Sequence, residues 1–192
     1  MDPTFKIIFG IIAGMLVFVA YIWYCKAIIK GTTKPNRMTW ITIALISWVL
    51  LLTYKAGGAD TTIWAPLGEA VAASVVAFLS IGRGVGGFEK TDIICFVGVI
   101  GSFILWQISG LSIVGLVSSL LVDTFALYPT IEKSWGKPNE EDRLAWTMTQ
   151  IGNTLNILAI NQLTLAILIY PIWRFLLDGV VVYALYRKKN QL

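Results

Sequence analysis

Four charged side chains, Glu69, Asp123, Arg174 and Asp178, fall inside runs of residues that are otherwise apolar. A charge at the centre of a bilayer costs at least roughly 2.5–3.5 kcal/mol on insertion scales, so such groups turn inward and find partners. Asp178 follows Arg174 by four residues, a spacing that puts both side chains on one helix face. Three carboxylates against one guanidinium leave acid in surplus, and surplus buried carboxylate binds a proton or a cation. Asp123 and Asp178 are therefore the candidates for ion coupling. The competing reading is a fixed ion-pair cluster that only holds helices together.

A second group is neutral. Gln150, Asn153 and Asn156 recur at three-residue intervals, which makes them one stripe on a helix. Amides in such a stripe can hydrogen-bond a sugar, an amide or a nucleoside; pairing between helices, worth about 0.6 kcal/mol, is the plainer alternative. Trp48, Trp106 and Trp173 lie deep enough to stack on a ring, and Trp173 adjoins Arg174. The candidate solute-binding set is Glu69, Gln150, Asn153, Asn156, Trp173 and Arg174. Pro66 and Pro171 fall inside apolar runs and Pro129 near the end of another, where each is expected to kink a helix and serve as a hinge.

Other chemistries find little support. There is no histidine, and no nucleophile–base constellation stands out, so an enzyme is not expected. Cys25 and Cys95 both lie in apolar segments, with no disulfide framework or metal-ligand spacing, and no cofactor or metal is expected. The glycines at 82, 84, 86 and 87 suggest a flexible loop but match no phosphate-binding loop.

These residues need elements to hold them. The 192-residue chain is 57% hydrophobic and only 14% charged, against roughly 25% charged in soluble domains. Water is the wrong solvent for it, and a polytopic membrane protein is expected. Ile7 to Cys25 is charge-free and, lacking a small-residue cleavage site, reads as an uncleaved first span. Met38 to Tyr54 is the second span and Thr61 to Gly82 the third. The run from Ile93 to Thr130 would make one helix of about 57 Å, nearly twice the bilayer core, so it must fold back near Ser109-Gly110. The run from Leu144 to Tyr186 must likewise turn at Asn161-Gln162. Seven helices result. Twelve of the fifteen basic residues fall in alternate loops and the C-terminal tail, where the +4 net charge reads as topology; no nucleic-acid partner is expected. The positive-inside rule then puts the N-terminus outside and the C-terminus inside.

The chain also repeats itself. Lys34-Pro35-Asn36 returns as Lys137-Pro138-Asn139, 103 positions on, while Arg37 and Trp40 return as Arg143 and Trp146, 106 on. Glu140, Glu141 and Asp142 make up the difference. Ala65-Pro66-Leu67 corresponds to Tyr170-Pro171-Ile172 at an offset of 105, which aligns Glu69 with Arg174. Helices 1–3 (residues 1–86) and 5–7 (110–192) then form two parallel units, and helix 4 (87–109) is the inverting linker. Glu69 and Arg174 are expected to attract each other across a central cavity.

This 3+1+3 plan resembles the PQ-loop superfamily, which includes the SWEET sugar transporters and the bacterial nicotinamide riboside transporters. The segment Tyr128-Pro129-Thr130-Ile131-Glu132-Lys133-Ser134-Trp135 is similar to the Pro-Gln segment ending the first helix of a PQ-loop unit, with Thr130 in place of Gln and Lys26-Ala27 at the matching place in the first unit. The resemblance implies transport of a small solute, a sugar, nucleoside or vitamin, by alternating access in a bacterial inner membrane. A proton or cation channel and a non-transporting scaffold or sensor are the alternatives. Homo-oligomer formation stays open.

Overall fold

The structure, a computed structural model, describes residues 2–31, 34–86 and 90–187. Lys188, Lys189 and Gly87 lie outside the described residues. Seven α-helices follow one another: α1 (Pro3–Ile29), α2 (Arg37–Ala56), α3 (Trp64–Arg83), α4 (Lys90–Ser109), α5 (Ser112–Gly136), α6 (Arg143–Leu158) and α7 (Leu165–Tyr186). There is no strand among the described residues; a single backbone bridge joins Asn36 to Val85. All except α6 are long and apolar enough to cross a membrane. α6 has only 16 residues, about 24 Å at 1.5 Å per residue, and carries the polar stripe. The bundle's outer faces expose Phe78, Ile94, Ile108, Phe125 and Leu176, as a lipid-facing surface should.

Local chemistry sets the helix boundaries. Asn36 caps α2 by accepting from the backbone N–H groups of Met38 and Thr39. Its sequence echo, Asn139, lies in a 3-10 turn (Pro138–Glu140), and the α6 cap is Asp142, which accepts from Leu144 and Ala145. Asn36 and Asp142 are 106 positions apart, so the three-residue shift in the repeat is the insertion that moved the cap. The fold-back after α4 occurs at Gly110, whose φ of +65° suits a residue without a Cβ.

Several expectations need correction. Pro66 is the third residue of α3, in the first turn, where its missing N–H interrupts no helical hydrogen bond. Pro129 does not break its helix, because the α5 backbone continues to Gly136; its side chain lies outside the described atoms. Nor is the stretch at Gly84–Gly86 loose. The Val85 N–H donates to the Pro35 carbonyl at 2.9 Å and the Arg37 N–H to the Val85 carbonyl at 3.2 Å. Of the suggested hinges, Pro171 alone is a true helix-interior proline among the described side chains.

The helices close on themselves. α1 packs against α3 and α6, α2 against α3 and α5, and α7 against α5 and α6. The resulting ring runs α1, α3, α2, α5, α7, α6 and back to α1, with α4 outside it against α2 and α5. Apolar burial drives little between helices already in lipid; close packing, small residues and polar links must hold them. On one side Ile46, Leu50, Tyr54, Leu116, Leu120 and Ile167 interlock between α2, α5 and α7. On the other, Gly14 of α1 lies directly against the backbone of α3 at Trp64 and Gly68.

A Cβ at Gly14 would collide with the Trp64 carbonyl, which no rotamer change relieves. Gly14→Ala is therefore expected to cost about 1–3 kcal/mol of stability. Gly101→Ala on α4, with open space around the added atom, should leave thermal unfolding in detergent unchanged or slightly improved.

Candidate functional site

α3 and α7 face each other across the ring, and the side chains that meet between them are the intramembrane charges. Arg174, the tenth residue of α7, donates from Nη1 to Asp123 Oδ2 of α5 at 2.7 Å and from Nη2 to Glu69 Oε1 of α3 at 3.0 Å. The same Nη2 lies 3.3 Å from Asp178 Oδ2, one turn along its own helix. The cluster is sealed: relative exposure is 5% for Glu69, 6% for Asp123, 7% for Arg174 and zero for Asp178. Glu69 and Arg174, aligned by the repeat at an offset of 105, are in direct contact.

Arginine suits this role because its planar fork presents several donors at once, where a lysine is a single point charge. With one positive charge against three carboxylates, the formal balance of the cluster is negative. Neutral donors make up part of the deficit. The Tyr170 hydroxyl donates to Glu69 Oε2 at 3.2 Å, and Asn153 Nδ2 donates to Asp178 Oδ2 at 2.8 Å, with the Arg174 carbonyl 3.4 Å away.

The remaining candidates fall into distinct places. Gln150 Nε2 donates to the Phe175 carbonyl at 3.2 Å across the α6–α7 contact, while its Oε1 has no hydrogen-bond partner. The Trp173 indole donates to Thr124 Oγ1 of α5 at 2.9 Å and packs on the α2–α5–α7 core, outside the charged cluster. Trp48 donates to Ser74 and is exposed on the outer face. Asn156 is fully buried, and neither of its amide atoms has a hydrogen-bond partner. The side chains around Arg174 are sealed from the surface rather than lining an open cavity. Two clefts, about 200 Å³ beside Phe18, Tyr21 and Ala72 and about 390 Å³ beside Ile113 and Val117, are lined by none of the candidate residues.

Pro171 exposes a residue that sequence reasoning missed. A proline at 171 has no N–H for the carbonyl of Ile167, four residues earlier. That carbonyl instead accepts from the Tyr54 hydroxyl of α2 at 2.9 Å, and the tyrosine oxygen lies 2.6 Å from Thr62 Oγ1, which can donate to it. Tyr54 also stacks on Tyr170, with ring centroids 4.9 Å apart. Beside them, Thr61 donates to the carbonyl of Ala159 at the C-terminal end of α6. Nothing in the local sequence of α2 marks Tyr54, since its partner lies 113 positions away. Tyr170 had a faint signal, standing four residues before Arg174 and next to Pro171.

No protein family, curated protein or solved structure matches the chain.

Arg174→Gln leaves three carboxylates buried without their cation and should cost about 3–5 kcal/mol, whereas Glu69→Gln, which leaves Arg174 two carboxylates, should cost less, both read by thermal unfolding. Tyr54→Phe strands the Ile167 carbonyl and should cost about 1–3 kcal/mol. In a Pro171→Ala background, where residue 171 regains its N–H, most of that Tyr54→Phe penalty should vanish in a double-mutant cycle.

Proposed function

We propose that this protein is a membrane transporter that moves a small polar solute by alternating access between two three-helix units, α1–α3 and α5–α7, joined by α4. The observation that carries the reading is the buried Arg174 cluster, in which one cation holds carboxylates from α3, α5 and α7 across the centre of the ring. Ionisable groups in that position, with surplus acid, are characteristic of solute and ion pathways.

The packing pattern supports the two-unit reading. Exchanging α1, α2 and α3 for α5, α6 and α7 turns each main helix contact of the ring into another that exists: α1–α3 into α5–α7, α2–α3 into α6–α7, and α1–α6 into α5–α2. Buried faces obey the same exchange. Ala65, Pro66, Glu69, Ala73, Val76 and Ser80 of α3 are buried, as are Tyr170, Pro171, Arg174, Asp178, Val181 and Leu185 at the 105 offset in α7. The link from Thr61 to the end of α6 brings the α2–α3 and α6–α7 connections to one face, as two units of the same orientation require. Parallel repeats about an axis along the membrane normal are a transporter architecture with the solute site between the repeats. The resemblance to PQ-loop proteins points the same way, toward a sugar, nucleoside or vitamin-like solute and a bacterial inner membrane with the N-terminus outside.

The carboxylate surplus also favours a second reading, a proton or cation channel through the same ring. Reconstitution into proteoliposomes separates the two. Saturable counterflow of a solute, lost in Arg174→Gln, is the expected result. Unitary currents in planar bilayers without saturable solute exchange would replace the transporter with the channel, and neither activity would leave a scaffold.

A further inference from the structure

Most of the candidate solute-binding residues are already occupied by other parts of the protein. Arg174 is divided among three carboxylates, Glu69 accepts from Arg174 and Tyr170, Asn153 is bound to Asp178, and Gln150 Nε2 and the Trp173 indole are bound to α7 and α5. Gln150 Oε1 is also without a partner, on a half-buried side chain, but two fully buried candidates stand apart. Asn156 is completely buried with both Oδ1 and Nδ2 unpartnered, and Asp178, equally buried, has its Oδ1 unpartnered. Such groups are rare in folded proteins because each forfeits its hydrogen bonds with water and receives nothing in exchange. Asn156 is three residues beyond Asn153 on the same face of α6, about 4.5 Å along the axis from the amide that touches Asp178. The repeat partner of Asn156 at the 106 offset is Leu50, buried at 2% exposure, so the first unit fills the equivalent place with a side chain of similar size and no polarity. Packing at this position does not call for an amide.

We propose that Asn156 and Asp178 Oδ1 form the recognition subsite for the transported solute, and that the solute is a small organic cation carrying an N–H donor, such as a primary ammonium. Its N–H donates to Asp178 Oδ1, and a neighbouring polar group, donor or acceptor, meets the Asn156 amide, which offers both. The formal surplus of two negative charges in the cluster attracts a cation and repels an anion. Arg174, the cation of the cluster that could hold a solute carboxylate, is spent on the protein's own acids. The inference rests on the transport reading for the identity of the pathway, but binding can be tested without transport.

The test compares three probes on one carbon skeleton, n-butylammonium, n-butanol and n-butyrate, by thermal stabilisation of the purified full-length protein and by flux in proteoliposomes. The ammonium should stabilise, and the alcohol and carboxylate should not. Asn156→Leu should raise the Tm, because it removes two unpaired polar atoms, yet weaken ammonium binding by about tenfold or more, the scale of a hydrogen bond involving a charged group. Asp178→Asn should abolish the preference for ammonium over alcohol; should that variant fail to fold, the Asn156→Leu result still decides. Equal response to all three probes, or an Asn156→Leu protein that binds ammonium as the wild type does, would overturn the subsite. Binding without flux would retain the subsite and sink the transporter, whereas flux of neutral solutes alone would retain the transporter and sink the cation.

Discussion

The guanidinium of Arg174 is the constraint on which the rest of the centre depends. It binds Glu69 from α3, Asp123 from α5 and Asp178 from its own α7, and Asn153 extends the network to α6. In lipid, apolar surfaces gain little by leaving one hydrocarbon environment for another, so polar links and close backbone contact must specify which helix lies beside which. Within the ring, α3 and α7 do not pack side by side; long side chains reaching across the middle connect them. Removing the cation would leave three acids in a low-dielectric interior, and no neighbouring side chain described here can replace its fork of donors.

The second constraint is backbone hydrogen bonding. A membrane-embedded helix cannot leave a carbonyl unpaired at little cost, since no water is present to satisfy it. Pro171 frees the Ile167 carbonyl, and Tyr54 from α2 accepts the task, supported by Thr62. A position that looks like a hinge in isolation is thus tied to α2. Together with Thr61 at the end of α6, these bonds lie toward one face, where the α2–α3 and α6–α7 connections meet. These bonds join the helices near that face, whereas the Arg174 cluster lies further along them. The polar groups therefore differ in kind: Tyr54 and Thr61 join segments, Arg174 organises the centre, and Asn156 has no internal bond to make.

Much of this was legible in the chain because it depends on local periodicity. Apolar runs of span length located the helices, and Ser109-Gly110 and Asn161-Gln162 marked the two fold-backs, at Gly110 and within residues 159–164. The 105-residue offset that aligned Glu69 with Arg174 also separates the two ends of a 3.0 Å ion pair. The shift in offset from 103 to 106 has a concrete cause in the exchange of Asn36 for Asp142 as helix cap. The place of Pro66 is not legible in this way, because the sequence places a proline within an apolar run but not within a helix, and a difference of one turn at the helix start decides whether a hydrogen bond is lost.

By itself, then, the sequence determined the solvent the protein lives in, its helices, and which charges had to be buried together. Those properties follow from composition and from spacing within a single helix. The tertiary structure decided which polar groups are already satisfied: Gln150 Nε2 and the Trp173 indole are bound internally, Tyr54 repairs a helix 113 residues away, and Asn156 is left unpaired. Hydrogen-bond satisfaction is a relation between atoms on different helices, set by how those helices rotate and cross, and one residue pattern along a helix is compatible with many such arrangements.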